Sequence, residues 1–195
     1  MKKSKKEERI IFLEGRKVIL RPLDKETDLD KCLRWVNDPE VIQYVSAVFP
    51  RAKKQEEEWF DKEKENEVRL AIETKEKEEF IGSISLFGIN NMNRVAELGI
   101  MIGEKTFWSN GYGTDAAMIL IAYGFNSLNL RKIKWSALDF NERSVNCSKR
   151  CGCKVEGILK KEIFTNGEYV DMVCLAVFKK DFLPLWEKYQ NGSRL

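Results

Sequence analysis

Histidine is missing from all 195 residues of the chain. That absence removes Ser-His and Cys-His nucleophile pairs, histidine general bases and mixed Cys/His zinc sites together. Chemistry must then fall to carboxylates, hydroxyls, thiols, amines or the backbone itself. Cysteine occurs five times, an odd count that argues against a disulfide framework. No apolar run approaches the roughly 20 residues of a membrane helix. The apolar stretch at 10–13 is too short for the core of a signal peptide. The expectation is a soluble, cytoplasmic protein with no membrane partner. The net charge is only +3, from 34 basic and 31 acidic residues. Basic residues alternate with acidic ones through 53–67 and 75–79, which reads as solvated surface rather than a nucleic-acid footprint. There is no Gly-Lys-Ser/Thr of a P-loop. Internal repeats, Pro- or Ser-rich linkers and breaks in composition are also absent.

What is present suits one domain with a sizeable core. Hydrophobic residues make up 43% and charged residues 33%, a globular balance. The polar segment 1–12 is expected to be flexible, 13–190 to form a single domain, and 191–195 to be a tail. Residues 16–23 alternate and read as a first strand ended by proline. Leu29, Leu33, Trp35 and Val36 mark a helix stopped at Asn37-Asp38-Pro39. A second helix is expected over 53–65, with Trp59 and Phe60 as its buried side. Strands follow at 68–74, 80–87 and 95–102. A helix over 116–125 spaces Ala116, Ile119, Leu120 and Tyr123 for one buried face. A strand at 132–138 and a helix at 142–150, stopped by Gly152, precede a hairpin of 155–164 and 169–178. Asn166-Gly167 is a strong hairpin signal between them. The order β-α-α-β-β-β-α-β-α-β-β sets a meander beside a βαβ crossover. That predicts an α/β (α+β) domain with a mixed, mostly antiparallel central sheet flanked by helices.

Two segments carry candidate chemistry. Residues 107–116, Phe-Trp-Ser-Asn-Gly-Tyr-Gly-Thr-Asp-Ala, lead from a strand through glycines into an apolar helix. Free backbone N–H groups and a positive helix end then converge on one point, which suits a phosphate or pyrophosphate. Gly111-x-Gly113 is only part of a dinucleotide fingerprint, and an ordinary strand-to-helix turn has the same pattern. The second segment is 141–153, Asn-Glu-Arg-Ser-Val-Asn-Cys-Ser-Lys-Arg-Cys-Gly-Cys. Cys147 and Cys151 share a helical face, and Cys153 is close by. No Cys-x-x-Cys pair or fourth ligand accompanies them, so they read as small apolar residues rather than a metal site. Trp35, Trp59, Trp135 and Trp186 read as core or pocket wall, since no basic groove accompanies them.

With the element order, these segments make the chain resemble the GNAT superfamily of N-acetyltransferases. The closer resemblance is to the branch of ribosomal-protein and spermidine N-acetyltransferases. Val18-Ile19-Leu20-Arg21-Pro22-Leu23, residues 34–41 (Arg-Trp-Val-Asn-Asp-Pro-Glu-Val) and Gly167-x-Tyr169-Val170-Asp171 also look like that branch. The resemblance implies acetyl-CoA as co-substrate and no metal. It implies that Trp108, Ser109, Asn110, Gly111, Tyr112, Gly113 and Thr114 cradle the pyrophosphate; Trp108 stands where the family has Gln or Arg. Ile100, Met101 and Ile102 would pair with the pantetheine arm, with a backbone N–H as oxyanion hole. Asn141, Ser144 and Cys147 would face the cofactor, although Asn141 also reads as a plain helix N-cap. Glu97 would face the acceptor amine as a catalytic carboxylate, or else be an exposed strand residue. Ser148 takes the catalytic position where relatives carry a tyrosine acid, yet a serine hydroxyl is a poor acid for a thiolate. Water, Cys147, Tyr112 or unassisted departure are the alternatives. Trp35 and Glu40 join Glu97 on the expected substrate side. The implied reaction is direct attack in a ternary complex, on an amine of a protein N-terminus, polyamine, amino sugar or antibiotic. A homodimer is left open. A non-catalytic acyl-CoA sensor is the competing reading, favoured by the missing tyrosine and opposed by Glu97.

Overall fold

The computed structural model describes residues 10–45, 49–62 and 65–193. Of the expected flexible segment and tail, residues 1–9 and 194–195 lie outside that range, as do residues 63 and 64 of the expected second helix. The chain opens on a short hairpin, β1 (Leu13–Glu14) and β2 (Val18–Pro22). Helix α1 (Lys25–Trp35) starts where the Asp24 side chain accepts from the Glu26 amide. The stop at Asn37-Asp38-Pro39 is followed at once by a new turn, α2 (Pro39–Ile42), with Asp38 as cap and proline at its start. Helix α3 spans Lys53–Asp61. Its buried residue is Glu56, whereas Trp59 and Phe60 are half-buried, contrary to the expected apolar side.

The strands β3 (Val68–Thr74), β4 (Phe80–Asn90) and β5 (Val95–Ile102) form the meander. Helix α4 (Tyr112–Asn126), β6 (Lys132–Leu138) and α5 (Glu142–Arg150) follow. The hairpin β7 (Lys154–Thr165) and β8 (Glu168–Phe178) turns through Asn166 and Gly167, both with positive φ, as a primed turn requires. A last helix, α6 (Lys179–Gln190), contains Pro184. The eight strands form one sheet in the order β1-β2-β3-β4-β5-β6-β8-β7, and only β5 and β6 run parallel.

Two apolar clusters cover the faces. The larger surrounds α4, which is buried on nearly every side rather than along the one expected face. The smaller holds Cys32, Trp35, Val41, Ala71 and Phe80 beneath α1 and α2. Among the described residues no helix is long and apolar enough to cross a membrane.

The feature that positions the site is the parallel pair. β5 and β6 pair only from Val95↔Lys132 to Leu98↔Trp135. Past that point residues 99–102 stay paired with β4 alone, and 136–138 stay paired with β8. The sheet is therefore split from Gly99 onward.

Candidate active site

A cavity of about 720 Å³ fills the split. Its walls are β5 from Glu97 to Ile102, β6 from Trp135 to Leu138, the start of α4, and α5. At its mouth, Gly111 caps α4 in the left-handed region at φ 83°, a conformation that glycine adopts without steric cost. No side chain caps α4. The first amides of a helix have no partner inside it, so the positive end of this helix is offered to the cavity. Gly113 lies within the first turn, and a Cβ there would meet Ile100, Ile102 and Cys147 at 3.5–3.9 Å. It is the cavity floor, not backbone strain, that a larger residue would disturb.

Cations gather around this end. Arg143 and Arg150 line the cavity. The Lys17 ammonium, carried by the β1–β2 turn, donates to the Asn110 carbonyl at 2.8 Å. The guanidinium of Arg143 lies 3.9 Å from the Trp108 ring centre and 4.5 Å from that of Tyr44. The Trp108 indole donates to the Ile102 carbonyl at 2.6 Å. In place of a polar side chain, Trp108 therefore supplies an aromatic wall anchored to β5, with an arginine stacked on it.

Most of the residues expected to hold cofactor line this cavity: Ile100, Met101, Ile102, Trp108, Ser109, Gly111, Gly113, Thr114, Asn141, Ser144 and Cys147. Asn110 and Tyr112 do not. The Asn110 amide donates to the Thr106 carbonyl, and the Tyr112 ring packs on Phe107. Asn141 is both lining and cap: its side-chain oxygen accepts from the Ser144 amide at 3.1 Å. The Ser144 hydroxyl accepts from the Trp135 indole at 3.0 Å. The Cys147 thiol is held below the ordinary thiol value, chiefly by the Cys151 S–H, with Thr114 and Arg150 adding to it. Cys151 is pushed up by the same contact and by burial. Among the described residues no group of His, Cys, Asp and Glu is arranged to hold a metal.

A second cavity, of about 250 Å³, meets the first at Val45 and residues 99–101. Glu56, Glu67, Arg51 and Arg69 line it, with Trp59, Ser83 and Ser85. Period-two alternation along β5 puts Glu97, Gly99 and Met101 on one face. Glu97 lines the larger cavity, where the Ser136 hydroxyl donates to its Oε1 at 2.8 Å. The Phe87 ring lies over Gly99 and lines the larger cavity.

Three expected site residues are placed elsewhere. Trp35 is 2% exposed and packs on Phe80 and Gly103, so it belongs to the core rather than to a substrate wall. Glu40 is exposed and ion-paired to Lys105, and it lines neither cavity. Ser148 is fully buried, and its hydroxyl donates to the Val145 carbonyl at 2.8 Å. It lines neither cavity, so nothing places its proton near a leaving group. The residues that sequence reasoning missed are Arg143, Arg150, Tyr44, Arg69 and Glu56. Glu56 had a signal, since it shares a helical face with Trp59 and Phe60 at i, i+3 and i+4.

A split parallel pair with a cationic, uncapped helix end at its mouth is an arrangement that suits an extended phosphorylated ligand. Comparison with known proteins makes the class specific. The Acetyltransferase (GNAT) domain profile matches residues 17–154, and the chain belongs to the GNAT acetyltransferase family. It is 31% identical over 168 residues to the spermidine N(1)-acetyltransferase of Escherichia coli K12, covering 85% of this chain and 88% of that protein. An N-acetyltransferase of Bacillus licheniformis known as p20 is 28% identical over 171 residues, covering 85% and 95%. The spermidine N-acetyltransferase from Vibrio cholerae, solved in complex with CoA and spermine, superposes with a TM-score of 0.78 at 27% identity. It covers 85% of this chain and 98% of its own.

Proposed function

We propose that this acetyltransferase moves an acetyl group from acetyl-CoA to an amine by direct attack within a ternary complex. The observation that carries the reading is the meeting of two cavities along residues 99–101. The residues present fit the donor. The amides opening α4 and the left-handed Gly111 suit a pyrophosphate, Arg143 and Arg150 suit further phosphate, and the unpaired edge of 99–102 suits an amide-bearing arm. Bound there, acetyl-CoA supplies an acetyl group activated as a thioester. Glu97 stands beside Gly99, where it attracts the protonated amine and takes its proton directly or through water. Backbone N–H groups on the free edge of β5 stabilise charge on the carbonyl oxygen. Cys147, the thiol lining the larger cavity, has a hydroxyl and a second thiol as neighbours and, among the described residues, no base, which disfavours an acetyl-enzyme. The five thiols are all free, which suits a cytoplasmic setting. The β7 edge exposes Val155, Ile158, Leu159 and Phe164, a surface suited to a second copy.

Thiol release from acetyl-CoA, followed with a panel of primary amines, tests the reading. Amine-dependent release, saturable in both substrates, is expected. CoA binding without amine-dependent release would replace it with the acyl-CoA-binding module.

A further inference from the structure

The smaller cavity has an unusual charge for a site that receives a cationic amine. Its carboxylates are already neutralised by the chain. Glu56, 1% exposed, is met by Arg51 at 3.2 Å. Glu67 is held by Arg69 through two contacts, Nε to Oε1 at 3.2 Å and Nη2 to Oε2 at 3.1 Å. Arg69 is fixed further: Nη1 donates to the Trp59 carbonyl at 2.9 Å, and the guanidinium stacks 3.8 Å from the Trp59 ring centre. These bonds occupy three of the five N–H groups that a guanidinium carries. Among the described residues two are left without a partner, on a side chain that lines the cavity and cannot lose its charge. Counted by formal charge, the lining holds two cations and two anions. A polyamine entering here would place ammonium groups beside arginines whose carboxylates are engaged.

Glu97 differs. Among the described residues its partner is a neutral hydroxyl, that of Ser136. Strand register sets the spacing. Arg69 is opposite Ser85, and Ser85 is opposite Gly99, so Arg69 and Gly99 lie two strands apart, about 10 Å. One carboxylate without a cation thus stands by the meeting point of the cavities, and one fixed guanidinium stands at the far side of the smaller cavity.

From this juxtaposition we propose that the acceptor is a small zwitterion, a primary amine that also carries an oxyanion. The amine is directed to Glu97, and Arg69, with Arg51, reads the carboxylate or phosphate. This rests on the transfer reading above and sets the chain apart from a polyamine enzyme. Arg69 is here a specificity-determining residue: planar, preorganised and stacked, as oxyanion recognition favours.

The test compares acceptors of matched length in the thiol-release assay: 4-aminobutyrate, 3-aminopropylphosphonate, butylamine, 1,4-diaminobutane and spermidine. The two zwitterions are expected to exceed butylamine in kcat/KM by about 10- to 100-fold, the usual range of a charge-assisted contact. The diamine and spermidine should fall at or below butylamine. The carboxylate and phosphonate arms show which oxyanion is preferred. Arg69→Gln should collapse the ratio of 4-aminobutyrate to butylamine toward one. The double variant Glu67→Gln/Arg69→Gln removes the pair without leaving one charge behind and should do the same. Thermal melts of both variants identify any that fail to fold. A preference for spermidine or the diamine, or a ratio untouched by either folded variant, overturns the zwitterion and leaves acetyl transfer standing. Absence of release with every amine removes the transfer reading, and the zwitterion with it.

Discussion

Glu97 and Ser148 show how position decides a residue's role. Glu97 has a cavity, a hydroxyl partner and a place beside the meeting point of the two cavities. Glu97→Gln keeps the size and loses the base. It should lower kcat by about 10²- to 10³-fold, within the range of general bases, while CoA affinity measured by calorimetry changes less than twofold. Equal kinetics for the two proteins from pH 6 to 9 would return Glu97 to an ordinary strand residue. Ser148, in contrast, gives its hydrogen to the Val145 carbonyl in a fully buried position. Ser148→Ala should leave kcat within tenfold and cost about 1 kcal/mol of stability. A thousandfold loss in kcat would mean that Ser148 orders an essential proton path. The cysteines offer a pH-dependent readout. Cys147 is lowered by the Cys151 S–H contact and Cys151 is raised. A lowered thiol reaches its reactive thiolate at lower pH than the ordinary value of about 8.5. Iodoacetamide labelling read by peptide mass spectrometry should therefore modify Cys147 first, with a midpoint below that of Cys151, and CoA should block it. Labelling of both thiols with one midpoint, or no protection by CoA, would contradict that placement.

The start of α4 separates two uses of glycine that look identical in sequence. Gly111 is needed for its left-handed backbone and has open space beyond its Cα except for the Lys17 ammonium. Gly113 is helical and faces Ile100, Ile102 and Cys147. Gly111→Ala should cost about 1 kcal/mol in urea denaturation, the penalty of a left-handed alanine. Gly113→Val should leave the melting temperature within a few degrees and weaken CoA binding at least tenfold. The reverse pattern would mean that the roles are exchanged. Legibility followed the same local logic. The alternating strands and the Asn166-Gly167 turn were readable because their signals are short-range and unopposed. So was the strand-to-helix turn before α4, although its pattern alone does not separate a phosphate cradle from an ordinary turn. Helix α6 was not readable: Pro184 normally ends a helix, yet Phe182, Trp186 and Tyr189 stack along it and hold it to the core. The α4 pattern predicted one buried face, because nothing local reveals that the sheet, α5, α6 and β2 all close on it. Arg69 and Glu56 were hidden for a related reason. Glu56 sits in a run of alternating charge that reads as solvated and Arg69 in an ordinary strand, and only the contact of Arg69 with Trp59 across β3 and α3 brings them to one cavity wall.

At the scale of the molecule, one buried carboxylate ties the two ends of the chain to the cradle. Asp115, in the first turn of α4, accepts from the amides of Arg16, Lys17 and Val18, and from the Tyr189 hydroxyl at 2.8 Å. Burial and the Asp115 carboxylate raise the Tyr189 phenol above its ordinary value, so it stays protonated as donor. Arg16 stacks on the Tyr189 ring at 4.3 Å. The β1–β2 turn, α4 and α6 thus meet at one point, and that turn carries the Lys17 that braces Asn110 of the glycine segment. The parts of this node should separate by experiment. Tyr189→Phe removes one donor to Asp115 and a second acceptor of the Arg16 amide but leaves three amides on Asp115, so it should lower the free energy of unfolding by about 1–2 kcal/mol. The Michaelis constant for acetyl-CoA should rise less than threefold, because the turn keeps its amide bonds. Asp115→Ala takes the acceptor from the Lys17 amide and the buried Val18 amide and leaves the Arg16 amide with the Tyr189 hydroxyl alone, so it should cost about 2–3 kcal/mol. In any protein that still folds, it should raise that constant at least tenfold as Lys17 and the start of α4 lose their common anchor. Urea titration and steady-state kinetics on the two variants decide the matter. A cradle unaffected in folded Asp115→Ala would show that α4 holds the ligand site without help from the chain ends.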